Sequence, residues 1–142
     1  MKKFLKALIL VATTIFFILL LASCSKLNEN PVKIVQHLDG EEYDSTVAID
    51  PSDVEDVVDE IGVKERDIEW LIMITPERWD KSDESGVLIY CKDKDAAKKM
   101  VEDIEDYIDE NKDFEDGVER FTIERKGKYV FFGCEYVWDS LQ

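Results

Sequence analysis

Apolar residues run from residue 7 to 22 with only Thr13 and Thr14 interrupting them. A polar, weakly periodic stretch follows over 25–42, with Pro31, Asp39-Gly40 and Glu41-Glu42, and reads as a tether. Beyond it the pattern becomes regular. Tyr43, Ser45, Val47 and Ile49 alternate, which predicts a short strand. Asp50-Pro51-Ser52-Asp53 has the residues of a helix start: a capping acid, a proline suited to the first turn, and acids at the positive dipole end. Val54, Val57, Val58 and Ile61 then fall on one helical face, and Gly62 can close the helix.

Trp70 to Ile74 is a strand apolar on both faces, and so is Gly86 to Cys91 after a polar loop from Pro76 to Ser85. A helix begins near Asp93 or Asp95, carries Ala97, Met100, Val101, Ile104, Tyr107 and Ile108 as its stripe, and frays near Asn111. Val118 to Arg125 alternates, Lys126-Gly127 turns the chain, and Tyr129 to Cys134 is again strongly apolar. Trp138 and Leu141 suggest a final helical turn. The order helix, hairpin, helix, hairpin predicts an α+β domain over residues 46–142. Two helix–hairpin units would form a two-layer sandwich, with a four-stranded, mainly antiparallel sheet and two helices on one face. A circularly permuted ferredoxin-like arrangement has this element order. Residues 24–45 would be the tether and residues 1–23 a separate leader.

Two helices on one face leave the other face of such a sheet apolar and bare. Leu71, Met73, Leu88 and Phe131 are expected there, partly covered by the tail around Trp138 and Leu141. The remainder would be a surface for a partner.

The leader has the charge pattern of an export signal, with Lys2, Lys3 and Lys6 ahead of the apolar run. That run is short of the ~20 residues that a membrane-spanning helix needs. It ends in Leu21-Ala22-Ser23-Cys24, an aliphatic residue and two small ones before a cysteine. This resembles the lipobox of bacterial lipoproteins. The resemblance implies cleavage before Cys24, a diacylglyceryl thioether on its sulfur, and a mature chain held on the extracytoplasmic face of the cell membrane. Two acyl chains anchor firmly, because each buried CH₂ contributes ~0.8 kcal/mol. The competing reading is an uncleaved signal anchor.

Charge narrows the partners. The formal net charge is −15, and the three leader lysines are the only charges in residues 1–23. Without them, 15 Lys and Arg face 33 Asp and Glu, a net of −18. Such a chain is repelled by phosphate backbones, so nucleic acid is not expected as a partner, and anionic headgroups repel its net charge too. With Cys24 lipidated, Cys91 and Cys134 remain, and both end apolar strands, where cysteine serves as a small apolar residue. They are expected to stay unpaired.

Catalytic patterns are not found. His37, the single histidine, lies in the expected tether, where it cannot be fixed beside a nucleophile. No glycine-rich phosphate loop occurs, and no cofactor is expected. Among so many acids, chance carboxylate pairs carry no information. Asp109, Asn111 and Asp113 match the first three ligand positions of a calcium loop. Phe114 stands where the loop needs glycine, however, and Arg120 where it needs glutamate. Trp79, beside Arg78 in the loop between two strands, has the composition of a binding hot spot, with Met73 on the adjoining strand.

Asp67-Ile68-Glu69, Val87 to Tyr90 running into Lys92-Asp93-Lys94-Asp95-Ala96, the long acidic helix and Gly127-Lys128-Tyr129-Val130 together resemble a family of small, uncharacterised lipoproteins of Gram-positive bacteria that carry a domain of unknown function. The likeness covers roughly residues 50–134 and implies no catalytic residue. The expected function is therefore a non-catalytic module that binds an envelope protein or another envelope component. A small-ligand or cation-binding module is the alternative, and an enzyme comes third.

Overall fold

The computed structural model describes residues 26–41, 43–48, 58–59, 61–81 and 83–142; the side chains of residues 46–48 and 79 lie outside the description. The leader, Cys24, and most of the helix expected over 50–62 therefore also lie outside it. Val58, Asp59 and Ile61 are helical, and Gly62 ends that turn at a φ of 75°, its N–H donating to the Val58 carbonyl at 3.1 Å. That left-handed geometry is why glycine stands there.

Much of the stretch expected as a tether is folded, over residues 26–41 and 43–45. Helix α1 spans Pro31–Asp39; Asn30 caps it by accepting from the Val32 N–H at 3.0 Å, and Pro31 occupies its first turn. Ile34 and Leu38 lie one turn apart and are fully buried. Nine residues are too few for a helical period to stand out. What holds the helix is the sheet beneath it.

Five strands form one sheet: β1 (Tyr43–Ala48), β2 (Ile68–Pro76), β3 (Gly86–Cys91), β4 (Phe121–Lys126) and β5 (Tyr129–Cys134). Their order is β1-β2-β3-β5-β4, with every neighbouring pair antiparallel. The class is α+β as expected, with one strand more than the four anticipated, because β1 pairs along β2 from Tyr43 opposite Pro76 to Ala48 opposite Leu71. Helix α2 (Lys94–Glu110) starts at Asp93, whose carboxylate accepts from the Ala96 N–H at 2.7 Å. Short helices α3 (Lys112–Asp116) and α4 (Glu135–Ser140) follow. No helix among the described residues is long and apolar enough to cross a membrane.

Helices lie on both faces of the sheet, which corrects the two-layer expectation. On one face Ala97, Met100, Ile104 and Ile108 of α2, with Val58 and Ile61, pack on Leu71, Ile89, Val130 and Phe132. On the other, Ile34 and Leu38 of α1, Val137 and Trp138 of α4, and Leu141 pack on Trp70, Ile72, Ile74, Leu88, Tyr90 and Phe131. Strands apolar on both sides are what a sheet covered on both sides requires.

The expected bare face is thus closed. Leu71, Leu88 and Phe131 are buried by the chain itself, and Met73 is half-buried. Nor do these four share a face. Leu88 pairs with Ile72 and Phe131, whereas Leu71 pairs with Ile89, so the set divides between the two cores. The alternation within each strand is as expected, but the register between strands sets which residues stand together.

Candidate functional site

Adjacent strands β2, β3 and β5 present Met73, Val87 and Phe132 to the α2 side of the sheet, at the end where β2 leaves into the loop 77–85. Phe114 of α3 leans over them. Its ring centroid lies 6.0 Å from that of Tyr107 and 6.1 Å from those of Phe121 and Phe132, and this fixes the short helix to the sheet. Between these side chains is an apolar hollow of about 210 Å³, walled also by Val118 and by the backbone of Gly86 and Gly133. Phe114 is a wall residue that the sequence reading missed. Its signal was one aromatic residue in the acidic run Asp113-Phe114-Glu115-Asp116.

Of the expected binding residues, Arg78 and Met73 line different hollows. Arg78 is exposed and forks onto Asp80, Nε to Oδ1 at 3.1 Å and Nη2 to Oδ2 at 2.8 Å. The hydrogen bond from Arg78 holds the Asp80 carboxyl below its ordinary range. Arg78 lines a different, much smaller hollow of about 50 Å³ with Tyr43, Lys81 and Glu84. Glu84 is buried but ion-paired, 2.8 Å from Lys81 Nζ. Trp79 opens the 3₁₀ turn 79–81, and its side chain lies outside the described residues. Met73 lines the apolar hollow, whereas Arg78 does not.

The calcium-like run has a different structure from a ligand loop. Asp109 is near the end of α2, Asn111 ends that helix with its Nδ2 donating to the Tyr107 carbonyl at 3.0 Å, and Asp113 lies in α3. Lys112 Nζ stands 3.3 Å from Asp109 Oδ1, so a cation of the chain's own is already beside that carboxylate. Among the described residues, no three His, Cys, Asp or Glu side chains converge to hold a metal ion. Glu105, Asp109 and Glu115 do line a broader polar hollow of about 520 Å³ with Phe121, Thr122 and Ile123.

Neither cysteine is poised as a nucleophile. Burial first, then the nearby Asp67 and Asp93, push the Cys91 thiol up to about 12. Burial raises Cys134 as well. A thiol in such surroundings stays protonated near neutrality and unreactive. His37 is not a loose linker residue: its Nε2 lies 2.7 Å from the Ser140 carbonyl oxygen, and it holds α1 to α4.

Comparison of the chain with protein-family models, with curated proteins and with solved structures finds no match.

Proposed function

We propose that the mature chain is a lipoprotein anchored through Cys24 to the extracytoplasmic face of a bacterial membrane, and that its domain is a non-catalytic binding module for another envelope protein or component. The observation that supports the binding half is the apolar hollow at Met73. With both sheet faces covered, a broad apolar docking face is no longer part of this reading. The hollow suits a narrower contact, in which a partner inserts one apolar side chain between Met73, Val87, Phe114 and Phe132. Anchors of this kind dominate many interfaces.

A small-ligand module is the second reading, and the same hollow favours it in part. Its volume of about 210 Å³ falls below the ~300–1,000 Å³ usual for small-molecule sites, which favours a side chain over a free ligand. The cation form of this reading has less support, given the separated acids of residues 109–113. The order β2-β3-β5-β4 of four strands agrees with a permuted ferredoxin-like arrangement carrying β1 as an extra edge. A fold likeness carries no function.

Affinity capture of the lipidated protein from its own membrane, with mass spectrometry, tests the reading. Met73→Trp, which fills the hollow, is expected to lose the partner that the wild type retains. An identical set of captured proteins would refute the hollow as the contact.

A further inference from the structure

Strand β4 is an edge of the sheet. Its inner side pairs with β5, from Phe121 opposite Cys134 to Lys126 opposite Tyr129, with no shift of register. Among the described residues, no other backbone hydrogen bond involves residues 121–126, so the outward N–H and C=O groups of β4 are unpaired within the chain. Natural sheets blunt such edges with charges, proline or bulges. On β4 the charged residues Glu124, Arg125 and Lys126 all fall in the second half; Phe121, Thr122 and Ile123 leave the first half open.

Beside that open half, on the α2 side, lies the hollow of about 520 Å³. Its floor is Ile108 with Phe121 and Ile123, and its rim is Glu105, Asp109 and Glu115. A strand added to β4 would run ~4.8 Å beyond it, with alternate side chains pointing to the α2 side. Those side chains would stand beside Phe121 and Ile123 and reach the hollow. An apolar floor under an acidic rim suits lysine or arginine, whose aliphatic stem covers apolar surface while the charged head stays wet.

Charge selects the occupant. Residues 102–119 carry ten acids and a single base, Lys112. Lys112 lies 3.3 Å from Asp109, but both side chains are exposed, and such a pair contributes little. Among the described residues, Glu105 and Glu115 form no ion pair, and Arg125, next along that face of β4, forms none with the rim. A second copy of this chain would bring the same acids to the edge and be repelled.

We propose that the β4 edge takes up an extended segment of a basic partner protein as an added strand, with a lysine or arginine of that segment seated on Ile108 and Ile123 between Glu105, Asp109 and Glu115. Main-chain hydrogen bonds supply the affinity of such strand addition, and pockets for alternate side chains supply its specificity. The contact shares no lining residue with the Met73 hollow and rests neither on that hollow nor on the lipid at Cys24.

The test uses the full chain in neutral detergent and a fluorescent peptide that alternates threonine with valine and carries one central lysine. The peptide is expected to bind saturably and to slow amide hydrogen exchange in residues 121–126 but not in β1. Replacing its lysine with glutamate, or N-methylating its backbone amides, should each weaken binding several-fold. Glu105→Gln/Glu115→Gln should do the same. Asp106→Asn/Glu110→Gln removes equal charge from the hollow beside Gly62 and should leave the affinity unchanged. No binding, unchanged exchange over 121–126, or an equal loss in the two double variants overturns the inference. Self-association of the chain through residues 121–126 also overturns it, by assigning the edge to a second copy. None of these results bears on partner capture at Met73.

Discussion

The imidazole of His37 and the carbonyl of Ser140 meet at 2.7 Å, across 103 residues of sequence. This contact, with that between Lys26 and Leu141, fastens the start of the described chain to its end on one face of the sheet. Helices α1 and α4 are therefore one layer of the fold, although neither is long enough to be stable alone.

Replacing Leu38 with Ala in the soluble Cys24→Ser protein is expected to cost about 2–5 kcal/mol in denaturant unfolding, since Leu38 is fully buried against the sheet. His37→Ala removes only a hydrogen bond and should cost about 1 kcal/mol. If Leu38→Ala unfolds at the wild-type midpoint, α1 is not part of the cooperative unit.

Cys91 and Cys134 are expected to remain thiols when the protein is unfolded without reductant and alkylated. They belong to opposite cores, and they sit at opposite ends of the paired strands: Cys91 follows the Tyr90–Tyr129 pair, and Cys134 follows the Gly86–Gly133 pair. A disulfide requires Cα atoms within about 7 Å. A product two mass units lighter than the dithiol, and refractory to alkylation, would contradict the placement.

The buried Cys91 thiol also predicts a pH dependence. Its folded value, about 12, is raised above the ordinary 9.0. The folded state therefore holds the proton more tightly, and the contribution is complete below pH ~9 and lost as pH rises towards ~12. The shift from 9.0 to about 12 corresponds to an effect on the order of 4 kcal/mol. Denaturant midpoints should fall across that window, and fall less steeply in Cys91→Ala. Parallel slopes for the two proteins would assign the alkaline loss to other groups, with Tyr129, also raised to about 12, the first to examine.

Gly133 has a φ of 138°, and a Cβ built on it would stand 2.4 Å from the Gly86 Cα and 2.5 Å from the Ser85 carbonyl oxygen. Backbone, not a flexible side chain, fills that space. Gly133→Ala should cost about 2 kcal/mol or more, with β3 and β5 forced apart. Gly127→Ala, also at positive φ but with open space around its Cβ, should cost less. Thermal unfolding of the two variants side by side checks the order, and a larger loss at Gly127 would contradict it.

Cys24→Ser should leave the protein unlipidated and released from the membrane, as read by fractionation and by the mass of the N-terminal peptide. A wild-type chain that starts at Met1 in full yield would refute cleavage before Cys24.

The sequence by itself determined the α+β class, the three strands apolar on both faces, the long helix starting near Asp93 or Asp95 and the turn closed by Gly62. Each of these rests on local chemistry: side-chain period, a capping carboxylate, a left-handed glycine. The tertiary structure decided the rest. Residues 31–39 are too short a run for the period of Val32, Ile34, Val35 and Leu38 to stand out, and burial of Ile34 and Leu38 on the sheet holds the helix that Asn30 and Pro31 start. The alternation in each strand was legible, but register is a relation between strands distant in sequence. Leu71 and Leu88 could therefore be assigned to their separate cores only after pairing. The hollow at Met73 is likewise built by β2, β3, β5 and α3 together. No local pattern encodes such convergence, because the antiparallel order of the strands creates it.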